Sequence, residues 1–257
     1  MDTSYFRISG VAKRFDGLVA LDGINLDLPQ GQTFCVIGPN GSGKTTLFNI
    51  ISGLLAADSG SIIFGGRDIV GLGPHQIAEL GIGRTFQSAR LFSNLTILQN
   101  CELPQFTGSH TTVLDALLSV RREREERKRV REKAEQLLGE VAGGRFYARR
   151  NDYPNTCSLG ERRMLEMIRV LALDPEVVLM DEPTQGMNPV WIAETLELIE
   201  NEIKGRDKTI LLIEHKMSVV MQISDRVVVL NNGIKISEGT PSFVRDDPPV
   251  IQAYLGD

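Results

Sequence analysis

One stretch constrains this chain more than any other: Gly38-Pro39-Asn40-Gly41-Ser42-Gly43-Lys44-Thr45 fits the spacing GxxxxGK[ST]. It follows the apolar run Thr33-Phe34-Cys35-Val36-Ile37 and opens a helical segment that begins Thr45-Thr46-Leu47. The order strand, glycine-rich loop, helix is the context in which this spacing binds phosphate. Glycines let successive backbone N–H groups turn inward around phosphate oxygens, and the helix N-terminus adds its partial positive charge. Lys44 is then expected to reach the β- and γ-phosphates of ATP, the Thr45 hydroxyl to ligate Mg²⁺, and Thr46 to complete the loop.

A second signal lies far along the chain. In Val177-Val178-Leu179-Met180-Asp181-Glu182 an apolar strand ends in two carboxylates, at the kind of strand end where open α/β sheets place ligands. Taken alone, such a pair is often only the preference of acids for a helix start. Beside a phosphate loop, Asp181 is expected to hold Mg²⁺ through water, and Glu182 to take a proton from the water that attacks the γ-phosphate.

The surrounding pattern gives the fold class: α/β, with a P-loop NTPase core and a mostly parallel central sheet. The runs around Val177–Asp181 and Lys208–His215 are short, continuous and apolar, as strands buried on both faces are, and a helical segment from Trp191 to Gly205 separates them. Alternating Ile24, Leu26 and Leu28 predict an antiparallel β-region near the N-terminus. The runs on either side of Asn232-Gly233 predict a hairpin, and Thr240-Pro241 predicts a capped helix start. Between about 88 and 172 the chain turns helical, with a charged stretch from Arg121 to Lys133. That stretch is expected to be a solvated helix face; contact with anionic lipid or an acidic loop is the alternative. The expectation is one domain, 1–257, with an inserted α-helical lobe and a helical tail over about 240–257.

Composition excludes several classes. The 257 residues carry 28 Lys plus Arg against 33 Asp plus Glu, a net charge of −5, which lacks the basic footprint of a general nucleic-acid binder. No apolar run approaches the roughly 18 to 20 residues of a membrane-spanning helix. The first ten residues show no secretory apolar core, so a cytoplasmic location is expected. Cys35, Cys101 and Cys157 are far apart and without CxxC spacing, which suits reduced thiols rather than disulfides or zinc.

Further motifs carry a resemblance. Cys157-Ser158-Leu159-Gly160-Glu161-Arg162 lies between the phosphate loop and the acidic strand and is similar to the LSGGQ signature loop of ABC transporter ATP-binding subunits; Cys157, Leu159 and Glu161 depart from that consensus, while Ser158 and Gly160 match it. Gln87 in Gly83-Arg84-Thr85-Phe86-Gln87 resembles the family's Q-loop glutamine, His215 its switch histidine, and Gln185-Gly186-Met187-Asn188 its D-loop, with Asn188 in place of Asp. The resemblance implies the ABC ATPase fold. It further implies that Phe15 stacks on adenine, Gln87 senses Mg²⁺ and the attacking water, and His215 contacts the γ-phosphate. Ser158, Gly160 and Asn188 would meet the ATP held by a second ABC ATPase subunit. From its residues alone, Ser158 reads as the N-cap of an ordinary helix.

The stretch Gly83–Asn100, the Asn188-Pro189 pair of the D-loop, the segment Leu211–Pro241 and the tail Val250–Asp257 together resemble, within that family, the ATPases of branched-chain amino-acid importers. That implies integral-membrane permease partners, an indirect periplasmic binding protein, no nucleic-acid partner, and a peripheral position on the cytoplasmic face of the inner membrane. Urea or amide importers, a lipopolysaccharide exporter ATPase, and non-transport ABC ATPases acting on nucleic acid or ribosomes are the alternatives.

Overall fold

Strand-forming residues in this chain alternate near the N-terminus and run continuously apolar further on, and the two patterns build two different sheets. The computed structural model describes residues 5–85, 91–106 and 120–255. Among them, β1 (Phe6–Phe15), β2 (Leu18–Leu28), β4 (Ser59–Phe64) and β5 (Arg67–Asp68) form an antiparallel sheet in the order β2-β1-β4-β5. In β2 the buried residues are Leu21, Ile24, Leu26 and Leu28, with exposed residues between them, so one face of the sheet is packed and the other is wet.

The second sheet has the order β10-β9-β3-β8-β7-β6. Here β3 is Thr33–Ile37, β6 Ile82–Arg84, β7 Val177–Asp181, β8 Thr209–Ile213, β9 Arg226–Asn231 and β10 Ile234–Gly239. From β9 across to β6 every pairing is parallel, and β10 is antiparallel to β9. All residues of β3, β7 and β8 are buried, which accounts for their unbroken apolar sequences. The β9–β10 hairpin turns through Asn232 at φ 47° and Gly233 at φ 78°, the paired left-handed residues of a type I′ turn. The expected cap is present too: Thr240 Oγ1 accepts from the Phe243 N–H at 3.3 Å at the start of the helix Pro241–Arg245.

The chain divides into two compact units. The first comprises Met1–Gln87, Pro175–Gln185 and Ile199–Asp257 and contains both sheets. Its core joins Phe6, Ile8 and Ile62 of the antiparallel sheet, Phe34, Val36, Leu179 and Leu211 of the parallel sheet, and Leu47, Phe48 and Ile51 of helix α1 (Lys44–Ile51). Burial of so many large side chains at about 25 cal/mol per Å² makes this the principal source of that unit's stability.

The second unit comprises Ser88–Asp174 and Gly186–Leu198. Its described helices include Ile97–Glu102, Val120–Glu140, Leu159–Leu171 and Pro189–Leu198. The long charged helix buries Val130, Ala134, Leu137 and Leu138, a single stripe at helical spacing. Lys128–Glu132 and Arg131–Glu135 pair at i,i+4 on its exposed side. No described helix is long and apolar enough to cross a membrane.

Candidate active site

Strand register assembles the site in the first unit. Val36 of β3 stands beside Ile213 of β8, and Ile213 stands beside Asp181 of β7. The residues that follow these three strand ends are the glycine-rich loop, Glu214-His215 and Glu182. The glycine-rich loop and two loops that lie more than a hundred residues further along the chain therefore converge at one edge of the sheet, the edge where parallel sheets hold ligands.

The loop's shape depends on its glycines. Gly38 has φ 147°, and a Cβ there would lie 2.0 Å from the Leu230 carbonyl oxygen; Gly43 has φ 102°, and its Cβ would lie 2.5 Å from the Ala20 carbonyl oxygen. Both obstacles are backbone, so only glycine lets the loop pass. Gly43 leads into α1 without a side-chain cap, leaving first-turn N–H groups for an anion. Lys44 folds back over the loop: its ammonium donates to the Gly38 and Pro39 carbonyls at 2.7 and 2.8 Å and to Ser42 Oγ at 3.4 Å. Burial lowers its pKa, while the carboxylates of Glu182 and Asp181 pull it back up. Asn40, Gly41 and Thr45 are exposed, Pro39 and Thr46 half-buried, and Ser42 buried.

Glu182 and His215 meet directly, with Glu182 Oε1 2.8 Å from His215 Nε2. Glu182 has φ 51°, a left-handed conformation uncommon for a side-chain-bearing residue. Its N–H donates to the Ile213 carbonyl at 3.0 Å, which anchors the turn just beyond the last paired residue. Strain of this kind persists where the surroundings fix it, typically at functional positions. The strand itself stops at Ile213, two residues short of His215, so the exposed imidazole sits on a loop and not in the sheet.

Asp181 is buried, and that burial raises its carboxyl pKa against the pull of Arg84. Arg84 Nη2 lies 3.3 Å from Asp181 Oδ2, and Arg84 Nη1 donates to Asn49 Oδ1 at 2.9 Å and Ser52 Oγ at 2.6 Å. Thr45 and Asp181 offer one hydroxyl and one carboxylate. That donor set suits Mg²⁺, which takes its other ligands from phosphates and water instead of an all-protein cage. Arg84 was not singled out from sequence; the clue it offers is a cation next to a short apolar strand, with no hint of its partner. Thr184 and Glu214 were also missed, although Glu214 is a charge directly after five buried residues.

Phe15 sits at the tip of the β1–β2 hairpin, paired with Leu18. Phe15 is 42% exposed, with Lys13 Nζ over its ring at 5.5 Å from the centroid. Gln87 lies outside the described residues.

In the second unit the candidate residues have local structural partners. Ser158 Oγ accepts from the Glu161 N–H at 3.3 Å while Glu161 Oε2 accepts from the Ser158 N–H at 2.7 Å, a capping box at the start of Leu159–Leu171. Arg149 Nη1 holds Glu161 Oε1 at 2.7 Å. Asn188 Oδ1 accepts from the Trp191 N–H at 3.0 Å, capping Pro189–Leu198. Gly160 is buried against the Trp191 indole, which a Cβ at 160 would approach to 2.5 Å. Ser158 and Asn188 are exposed, and Leu159 is half-exposed at 50%.

The family profile of ABC transporters matches residues 21–185, and that of branched-chain amino acid ATP-binding cassette transporters matches residues 235–257. The chain is 38% identical over 257 residues to the high-affinity branched-chain amino acid transport ATP-binding protein BraF of Pseudomonas aeruginosa, covering 100% of both. It is 36% identical over 257 residues to the corresponding protein LivG of Escherichia coli K12, again covering 100% of both. Among solved structures, the ADP conformation of an ATP-binding cassette of an ABC transporter superposes with a TM-score of 0.84 at 30% identity, covering 98% of this chain and 99% of that one. A dimeric post-hydrolysis cassette bound to ADP and Pi gives 0.73 at 25% identity, covering 92% and 98%. With a phosphate loop, an acidic strand end and a histidine loop on one sheet edge, this chain belongs to the ABC transporter family, as one of its ATP-hydrolysing subunits.

Proposed function

We propose that this chain hydrolyses ATP to drive a membrane importer of branched-chain amino acids, paired with a second ATPase subunit and seated on permease subunits at the cytoplasmic face of the inner membrane. The observation that carries the hydrolytic part is the Glu182–His215 contact at 2.8 Å, beside a phosphate loop on the same sheet edge. The amino-acid substrate is supported by the full-length similarity to BraF and LivG and by the matching tail.

In this reading the loop from Gly38 to Thr46 binds the polyphosphate through backbone N–H groups, and Lys44 exchanges its carbonyl partners for phosphate oxygens. Phe15 stacks on the adenine. His215 orients the γ-phosphate and the attacking water. Glu182 accepts the proton that this water loses as its oxygen bonds to the γ-phosphorus and the bond to the β-phosphate oxygen breaks, giving ADP and phosphate. Thr45, Asp181 and Gln87 would hold Mg²⁺, which when bound neutralises phosphate charge. From the partner ATPase, the residues corresponding to Ser158, Gly160 and Asn188 complete the enclosure, so ATP favours the closed pair by its higher affinity for it. The helical unit, about 88–172 in its main part, receives the permease and passes closure on.

Two measurements test this. Glu182→Gln is expected to bind ATP and to lose turnover; turnover near the wild-type rate would remove Glu182 as the base. A strain lacking the chain is expected to lose energised uptake of leucine, isoleucine and valine, and unchanged uptake of all three refutes the substrate.

A further inference from the structure

The side chain of Glu214 is only 3% exposed, yet its carboxylate is shared between the two loops that carry the reacting groups. Its Oε1 accepts from the Thr184 hydroxyl and from the Thr184 N–H, the latter at 3.3 Å. Its Oε2 accepts from the His215 N–H at 2.8 Å and the Lys216 N–H at 3.1 Å. Lys216 Nζ returns across the gap to the Thr184 carbonyl at 3.3 Å. One oxygen is thus spent on the loop after β7 and the other on the loop after β8.

Burying a carboxylate is costly unless it is fully hydrogen-bonded. An apolar residue would end β8 without that cost, so the requirement lies in what the carboxylate joins. Register explains the choice of position: Asp181 and Ile213 are paired neighbours, which puts Glu182 and Glu214 at equivalent places past the strand ends. From there Glu214 reaches Thr184, two residues beyond Glu182, while its own backbone leads straight into His215. A displacement of either loop breaks hydrogen bonds to the same group.

We infer that Glu214 is a positioning residue for ATP hydrolysis: by bridging Thr184 to the His215-Lys216 backbone it fixes the separation of Glu182 and His215 without touching the nucleotide. The inference rests on the roles proposed above for those two side chains. Small misplacements of reacting groups cost rate much more than they cost binding.

The test uses the full chain, with ATP turnover and ADP binding measured side by side. Glu214→Gln keeps the shape but replaces one acceptor oxygen with a donor amide, and is expected to lower kcat by roughly 10- to 100-fold. Nucleotide affinity and the KM for ATP are expected to move by less than about twofold, since uniform binding is untouched. Thr184→Val removes a single donor at constant volume and is expected to lower kcat by roughly 3- to 10-fold in the same pattern. Should Glu214→Gln not fold, Thr184→Val decides on those two readings. Wild-type kcat in the folded variants overturns the inference, and so does a loss of nucleotide affinity equal to the loss of kcat. Glu182→Gln in the same assay separates the two levels. If it still turns over, the parent reading falls; if it is inactive while Glu214→Gln and Thr184→Val run at the wild-type rate, the positioning role alone falls.

Discussion

Arg84 and Asp181, 97 positions apart, form an ion pair at 3.3 Å with side chains only 7% and 8% exposed. The same guanidinium is bonded to Asn49 and Ser52 at the end of α1. It therefore ties the helix behind the phosphate loop to the carboxylate expected to face Mg²⁺.

Removing Arg84 leaves a buried carboxylate without its nearest counter-charge, so Arg84→Ala is expected to destabilise the fold by about 3 to 5 kcal/mol. It should also push the Asp181 carboxyl further up, since Arg84 is what holds burial in check. Arg84→Lys keeps the charge but loses the fork that reaches three partners, and should fall between the two. Urea unfolding checks this; a loss under about 1 kcal/mol for Arg84→Ala would show that the pair contributes little.

Ser158 separates a cap from a phosphate contact. Its hydroxyl caps Leu159–Leu171, so Ser158→Ala is expected to cost about 1 kcal/mol and Ser158→Asp almost nothing. If Ser158 also faces the partner's γ-phosphate, Ser158→Asp sets a carboxylate against it and should abolish turnover in the assembled transporter with the melting temperature unchanged. Retained turnover in that variant would confine Ser158 to capping.

How much of this was legible in the sequence depends on range. The loop at 38–45, the strand ending at Asp181, the Asn232-Gly233 hairpin and the Thr240 cap are all local: each is written in a few adjacent residues whose backbone preferences or spacing suffice. Arg84 with Asp181, Thr184 with Glu214, and Gly160 with Trp191 are contacts created by which strands and helices become neighbours, and no local preference encodes them. The left-handed Glu182 is similar, since nothing about a glutamate announces φ 51°. Ser158 shows the converse. Its capping pattern is written in adjacent residues and forms as they dictate, whereas a contact with a second subunit's phosphate has no local signature.

Thiol chemistry follows from burial. Burial pushes the Cys101 thiol up to about 12 from the ordinary thiol range, and the Cys35 thiol, also fully buried, is raised further. The folded thiols stay protonated where unfolded ones ionise, so each favours unfolding as pH rises above 9, by up to about 1.4 kcal/mol per pH unit. That contribution is intact below pH 9 and is lost towards 12. Cys101→Ala is expected to flatten the decline in stability between pH 9 and 11, and alkylation of Cys35 and Cys101 at pH 8 should require unfolding. Rapid labelling of either in the native chain contradicts their burial.

Gly160 yields a prediction in the sign of an effect. In an ordinary helix Gly→Ala stabilises by about 1 kcal/mol. Here the new methyl meets the Trp191 ring at 2.5 Å from Cγ and Cδ2, close to the root of a side chain whose other contacts include Arg145, 5.1 Å from the ring centroid. The indole cannot swing aside without losing that packing, so Gly160→Ala is expected to destabilise by about 1 to 3 kcal/mol. In a Trp191→Ala background the obstacle is gone, and the same substitution should turn stabilising. Because the two residues touch, the effects are coupled and the double-mutant cycle measures the contact. If Gly160→Ala instead leaves stability unchanged in both backgrounds while eliminating turnover, glycine at 160 is there for the nucleotide and not for the tryptophan.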